Sequence, residues 1–179
     1  SVMEFEIQRD ALLRPLQALI GVVEPPQTFP ILANVLVEKT ADQLRITATD
    51  LEVELQADTG LEGGTAGKVT VPARKLMDIV RNLPDDAIVQ LAQDQERVVV
   101  KAGRSRFTLA TLPGDDFPTV DEVVASHRVA LPQSQLRALI NHTHFAMALQ
   151  DVRYYLNGLL FELEPQHLRA VATDGHRLA

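Results

Sequence analysis

Apolar and polar positions change period along this chain, and each change marks an element. Phe5-Glu6-Ile7 alternates as a half-buried strand does. From Leu12 the spacing becomes helical. Leu12, Leu16, Leu19 and Val23 fall within a narrow arc at roughly 100° per residue, with Arg14 almost opposite. Pro15 is expected to interrupt and kink this helix, since an interior proline removes a hydrogen bond, and Pro25-Pro26 marks a loop. Between Ile31 and Ala57 the pattern is that of strands: Leu44, Ile46 and Ala48 alternate with Arg45 and Thr47, and Val53, Leu55 and Ala57 with Glu54 and Gln56. The glycine-rich stretch from Gly60 to Gly67 reads as a flexible turn and Lys68 to Val71 as a strand. Pro72 suits the first turn of a second helix. Leu76, Ile79, Val80 and Leu83 form the buried stripe of that helix. Arg74 and Arg81, seven apart, share its opposite face. Three more strands are expected at Ala87 to Ala92, Arg97 to Ala102 and Arg104 to Leu112. The Pro113 to Pro118 loop and the acidic stretch after it read as a domain linker.

Beyond Arg128 the first pattern returns. A strand (Arg128 to Leu131) precedes a helix with Leu136, Ile140, Thr143 and Met147 on one face, and strands follow near Gly158 to Leu163 and Leu168 to Ala172. The letters repeat as well: Asn34-Val35-Leu36 is answered by Asn157-Gly158-Leu159. Leu44-Arg45-Ile46-Thr47-Ala48-Thr49-Asp50 is answered by Leu168-Arg169-Ala170-Val171-Ala172-Thr173-Asp174. The offset from Thr49 to Thr173 is 124 residues. It exceeds a solenoid repeat and suits a duplicated domain. A strand, a helix and several antiparallel strands per copy suggest the α+β class, with helices on one face of an antiparallel sheet. The expected organisation is a tag remnant at 1–2, a first domain at 3–122, a linker at 123–127 and the first half of a second domain at 128–179.

Composition narrows the function. The chain of 179 residues has no cysteine, which excludes disulfides and thiolate chemistry. No apolar run approaches the roughly 20 residues of a membrane span, and no signal-peptide pattern opens the chain. Two tyrosines and no tryptophan argue against a surface built on base stacking. A net charge of −7 disfavours a broad basic grip on DNA, yet permits a basic strip inside an acidic exterior.

Enzymatic readings fare poorly. The Gly60 to Lys68 loop fails the phosphate-loop pattern, with Glu62 in place of the first glycine and Val69 in place of Ser or Thr. His142 and His144, two apart on a helix, point away from each other and cannot share a metal. Asp174-Gly175-His176 has no accompanying nucleophile motif. The helix faces say more. Arg14, Arg74 and Arg81 lie opposite buried stripes, and Arg137 and Asn141 lie beside or away from the third stripe. On one helix this is an ordinary solvated face; three such helices on one side of duplicated sheets would present a basic concave surface. Arg104 and Arg106 share one strand face with Thr108, and Phe107 and Leu109 share the other. The two arginines either guard a sheet edge or pair with acids of a partner subunit.

Six strings, in order along the chain, resemble the bacterial DNA sliding clamp family, the beta subunit of DNA polymerase III. They are Phe29-Pro30-Ile31-Leu32, Thr49-Asp50-Leu51-Glu52, Val71-Pro72-Ala73-Arg74-Lys75, Gly103-Arg104-Ser105-Arg106-Phe107, Gln150-Asp151-Val152-Arg153-Tyr154-Tyr155-Leu156-Asn157-Gly158 and Ala172-Thr173-Asp174-Gly175-His176-Arg177-Leu178-Ala179. The resemblance implies the clamp fold, with helices lining a central hole inside antiparallel sheets, three such domains per subunit and two subunits per ring. This sequence would supply the first domain and part of the second. The implied function is that of a non-catalytic, cytoplasmic, nucleoid-associated processivity factor with no cofactor and no metal. It would encircle duplex DNA without reading sequence and tether the polymerase III alpha subunit, the clamp loader and other proteins with clamp-binding motifs.

The resemblance also assigns residues. Gln150, Tyr154 and Tyr155 would lie near DNA beside Arg14, Arg74, Arg81 and Arg137. Leu156, Thr173, Gly175, His176, Arg177 and Leu178 would line a peptide-binding cleft. Lys75, Arg104, Arg106, Phe107 and Leu109 would meet the next subunit. Thr49-Asp50-Leu51 reads as a plain hairpin turn; after the shared Thr-Asp the copies diverge, Leu51-Glu52-Val53 in one and Gly175-His176-Arg177 in the other, as a site grafted onto one copy would leave them. One departure is plain. Members usually carry an arginine in the loop before Thr28, where this chain reads Glu24-Pro25-Pro26-Gln27. Two other classes stay open, a peptide-recruiting adaptor that never touches DNA and an enzyme of unknown type.

Overall fold

The computed structural model describes residues 2–23, 29–51 and 53–118, together with the backbone of three later strands. The Pro25-Pro26 loop, the helix expected around Leu136 to Met147, His142 and His144, and most of the 123–127 boundary lie outside the described residues.

Strand β1 (Glu4–Gln8) exposes Glu4 and Glu6 and buries Phe5 and Ile7, the alternation its letters predict. It runs directly into helix α1 (Arg9–Leu19), whose buried face holds Leu12, Leu13, Leu16 and Leu19. Pro15 lies inside this helix and does not interrupt it, contrary to expectation. A proline withdraws one backbone donor and costs about 3 kcal/mol in a helix interior. Here the ring is itself buried among the leucines, and packing of the apolar face outweighs the loss.

Strand β2 (Asn34–Lys39) begins later than expected, because Pro30–Ala33 closes a 3₁₀ turn in which proline occupies a position that needs no donor. Strands β3 (Gln43–Thr49), β4 (Val53–Gly60) and β5 (Gly67–Pro72) follow, then helix α2 (Ala73–Arg81), which buries Ala73, Leu76, Met77 and Val80. Strands β6 (Ile88–Asp94), β7 (Arg97–Ala102), β8 (Ser105–Ala110) and β9 (Leu112–Pro113) complete the first unit. One sheet has the order β1-β6-β7-β8, and β4-β3-β2-β5-β9 runs through the other, all antiparallel. The core-facing rows of both sheets and the apolar faces of both helices share one hydrophobic core.

Two stretches read as loose from sequence are held in place. In the glycine-rich loop Thr65 exchanges backbone hydrogen bonds of 2.8 and 3.1 Å with Glu4. Buried Lys39 donates to the Leu61 carbonyl at 2.8 Å and to that of Thr40. Gly64 has φ +75°, and a Cβ there would stand 2.4 Å from the Glu4 carbonyl oxygen, so only glycine fits. The Pro113 to Pro118 stretch is likewise no free linker. Leu112 and Pro113 pair with β5, Phe117 is buried, and Asp115 meets Lys68 at 2.6 Å. That contact ends a row of alternating charges across the sheet face turned from the core: Asp58 opposite Arg45, Arg45 opposite Glu38, Glu38 opposite Lys68. Arg45 grips Asp58 with two nitrogens, at 2.6 and 3.0 Å. Asp115, by hydrogen bond and charge, and then Glu38 raise the Lys68 pKa above the ordinary lysine value.

Strands β10 (His127–Ala130), β11 (Leu159–Glu162) and β12 (His167–Ala172) lie where the 124-residue offset puts the counterparts of β1, β2 and β3. Strands β11 and β12 pair antiparallel, as β2 and β3 do. The other partnerships differ. β10 runs parallel to β11, and β12 pairs with β4 of the first copy, from His167 opposite Asp58 to Ala172 opposite Val53.

Candidate nucleic-acid and subunit interfaces

Helices α1 and α2 pack on each other and on the shared core, and their polar faces remain in solvent. Arg14, Arg74 and Arg81 are all exposed, as the helical period predicts. Arg74 reaches the Val23 carbonyl at 3.4 Å, and Arg81 pairs with Asp78 one turn back. Both members of that pair are more than half exposed, so the contact is weak and leaves the guanidinium accessible to an anion. Among the described residues no ion pair involves Arg14 or Arg74. The two helices thus offer three exposed cations, which suits transient phosphate contact.

Sequence reading missed Arg9. As the first residue of α1 it sits where the helix dipole disfavours a cation. Its guanidinium instead turns to the end of α2, with Nε 3.1 Å from the Val80 carbonyl and Nη2 2.7 Å from that of Arg81. An arginine at the wrong end of its own helix is a signal that could have been read, but its partners lie some seventy residues away.

The second site is the edge strand β8. Arg106 and Thr108 face away from the core, opposite Lys101 and Val99, while Phe107 and Leu109 face inward, opposite Val100 and Val98. The two-faced strand is as expected, with two corrections. Arg104 is not in the strand; Gly103 and Arg104 form the two-residue turn between β7 and β8, and Gly103 supplies the positive φ of +57°. Leu109 is buried in the core of its own domain. Exposed apolar surface on β8 comes from Phe107 (38% exposed), and Leu112 (37%) adds more on β9, the edge of the other sheet. Lys75 is exposed on α2, which touches β8. Lys101 and Arg106 stand directly opposite each other, like charges that disfavour the hairpin unless an acid comes between them.

Arg137, Gln150, Tyr154 and Tyr155 lie outside the described residues, as do Leu156, Thr173, Gly175, His176, Arg177 and Leu178. Among the described residues no group of three His, Asp or Glu is placed to hold a metal, and no helix is long and apolar enough to cross a membrane.

Residues 3–121 match the model of the DNA polymerase III beta subunit N-terminal domain, and residues 130–179 match that of its central domain. The chain belongs to the DNA polymerase III beta subunit family. It is 58% identical to the beta sliding clamp of Pseudomonas putida, over 99% of this chain and 48% of that protein. It is 48% identical to the beta sliding clamp of Escherichia coli, over 99% of this chain and 49% of that protein. A solved sliding clamp of Pseudomonas aeruginosa bound to griselimycin superposes with a TM-score of 0.71 at 55% identity, covering 99% of this chain and 48% of that one. A structure of Caulobacter crescentus pol III beta gives a TM-score of 0.69 at 44% identity, covering 98% of this chain and 49% of that one. The chain spans about half the length of the curated relatives it matches. The two beta-subunit matches follow one another along the chain, in the order of the internal repeat.

Proposed function

We propose that the protein containing this chain is a processivity factor, a cytoplasmic, non-catalytic ring that encircles duplex DNA and tethers the replicative polymerase. The observation that carries this reading is the exposure of Arg14, Arg74 and Arg81 on two helices packed together over one core, within a chain of net charge −7. A protein that grips DNA by charge needs many phosphate contacts; one held by topology needs few, and weak sequence-blind contacts let it slide. Arg137, Gln150, Tyr154 and Tyr155 would extend the inner surface in the second domain.

Ring closure would use β8. Its open edge, the exposed cations Lys75, Arg104 and Arg106 and the half-exposed Phe107 suit a strand from a second subunit that carries acids, with Leu109 backing the contact from the core. Charged pairs there would fix register, and the apolar patch would contribute most of the affinity. Polymerase alpha subunit, clamp loader and repair proteins would dock in a cleft lined by Leu156, Thr173, Gly175, His176, Arg177 and Leu178.

Clamp loading onto primed circular DNA over a salt series tests the DNA face. Reversing Arg74 and Arg81 to Glu in the full-length protein is expected to slow loading and flatten its salt dependence, and unchanged loading would overturn the assignment. Titration with a polymerase-derived clamp-binding peptide tests the cleft. Leu156→Ala with Leu178→Ala is expected to cost about 2–4 kcal/mol of affinity, the scale of small-pocket hot spots, and wild-type affinity would refute it.

A further inference from the structure

We propose that Arg9 is a positioning residue for the DNA-facing surface: it locks the start of α1 to the end of α2 and so fixes the spacing of the arginines on the two helices. The inference rests on the DNA-contact reading. All three guanidinium nitrogens are engaged. Nε donates to the Val80 carbonyl at 3.1 Å and Nη2 to the Arg81 carbonyl at 2.7 Å, while Nη1 meets Asp10 at 2.8 Å and Asp85 at 3.4 Å. The side chain is only 12% exposed, so it is spent on these contacts and offers little to a phosphate. The two carbonyls belong to the last turn of α2, where the dipole favours a cation, and the Val80 carbonyl also accepts the Leu83 N–H at 3.2 Å. A planar fork can reach two successive carbonyls at once, which an ammonium cannot do with the same rigidity. The Arg9 backbone N–H adds a 2.9 Å bond to the Ala87 carbonyl, just before β6, so the start of α1 is tied to the segment that follows α2 as well. Arg81, whose carbonyl is held, is one of the proposed phosphate contacts, and Arg14 follows on the helix that Arg9 begins.

The test uses the full-length clamp and a labelled primed duplex titrated over a KCl series, with the slope of log K against log [KCl] as readout. Each phosphate contact is worth about 0.9 in that slope for duplex DNA. Arg9→Ala and Arg9→Lys are expected to lower the slope by about one, because misaligned helices no longer present their arginines to one backbone together. A merely structural role would lower the unfolding temperature and leave the slope unchanged in the folded variants. If Arg9→Ala does not fold, Arg9→Lys decides the matter. The control is Arg74→Glu with Arg81→Glu. A lowered slope in the control with wild-type slopes in both Arg9 variants overturns the positioning role alone. An unchanged slope in the control overturns the DNA-contact reading beneath it.

Discussion

Leu51 and Gln95 are the two described non-glycine residues with positive φ, at 78° and 55°. Leu51 sits at the β3–β4 turn, half exposed. The Thr49 hydroxyl accepts its N–H at 3.0 Å, and the Asp50 carboxylate accepts the Val53 N–H at 2.7 Å. The side chains thus hold a turn that a leucine backbone resists at a cost of about 1 kcal/mol. Leu51→Gly is expected to raise stability by about 0.5–1 kcal/mol in urea unfolding, and so is Gln95→Gly in the β6–β7 hairpin. A clear loss at Leu51 would mean that its side chain packs more firmly than its exposure indicates. Conformations of this kind were not legible in the letters, where Thr49-Asp50-Leu51 reads only as a turn. Side-chain direction was legible wherever one period governs it, as for Arg74 and Arg81 on α2 and Phe107 on β8. Depth was not: alternation put Leu109 on the correct face of β8 without revealing that the core closes over it. Arg9 escaped because its partners are distant carbonyls, which carry no pattern along the chain.

Strands and helices followed the hydrophobic period wherever a single face is buried. β1, β3, β7 and α2 lie close to where the alternation or stripe placed them. The departures come from tertiary packing that overrides a local rule. Pro15 stays inside α1, and the glycine-rich loop is pinned to β1 through Thr65. Edge pairing is the other source, since a strand takes whichever partner is within reach. β12 on β4 is the clearest case: its counterpart β3 pairs with β2 and β4 of its own copy, whereas β12 pairs with β4 of the other copy. If the repeat extends to strand pairing, β12 is expected to pair within its own copy in the longer protein and leave β4. The cysteine-free sequence makes a clean test. Gln56→Cys with Arg169→Cys joins residues directly opposite in the β4–β12 register. The pair should oxidise readily in the 179-residue chain and stay reduced in the full-length protein. Rapid cross-linking in both would show that the two copies share this strand pair permanently.

At the scale of the whole molecule, the proposed function pairs an acidic chain and a few exposed helix arginines with a mode of DNA association that does not depend on charge. The internal repeat and the α+β class were legible because both are written in period and spacing. The proposed ring was not, since neither period nor spacing expresses assembly and only the resemblance implies it. Encirclement makes a claim that affinity alone cannot imitate: release should follow the connectivity of the DNA, not the strength of contact. The direct measurement is to load the full-length protein with its clamp loader onto nicked circular DNA, pass the complex through gel filtration at high salt, and repeat after cutting the circle once. The protein is expected to travel with the intact circle and to be lost from the linear form. Equal retention on both, or equal loss from both, would contradict a ring held on DNA by topology.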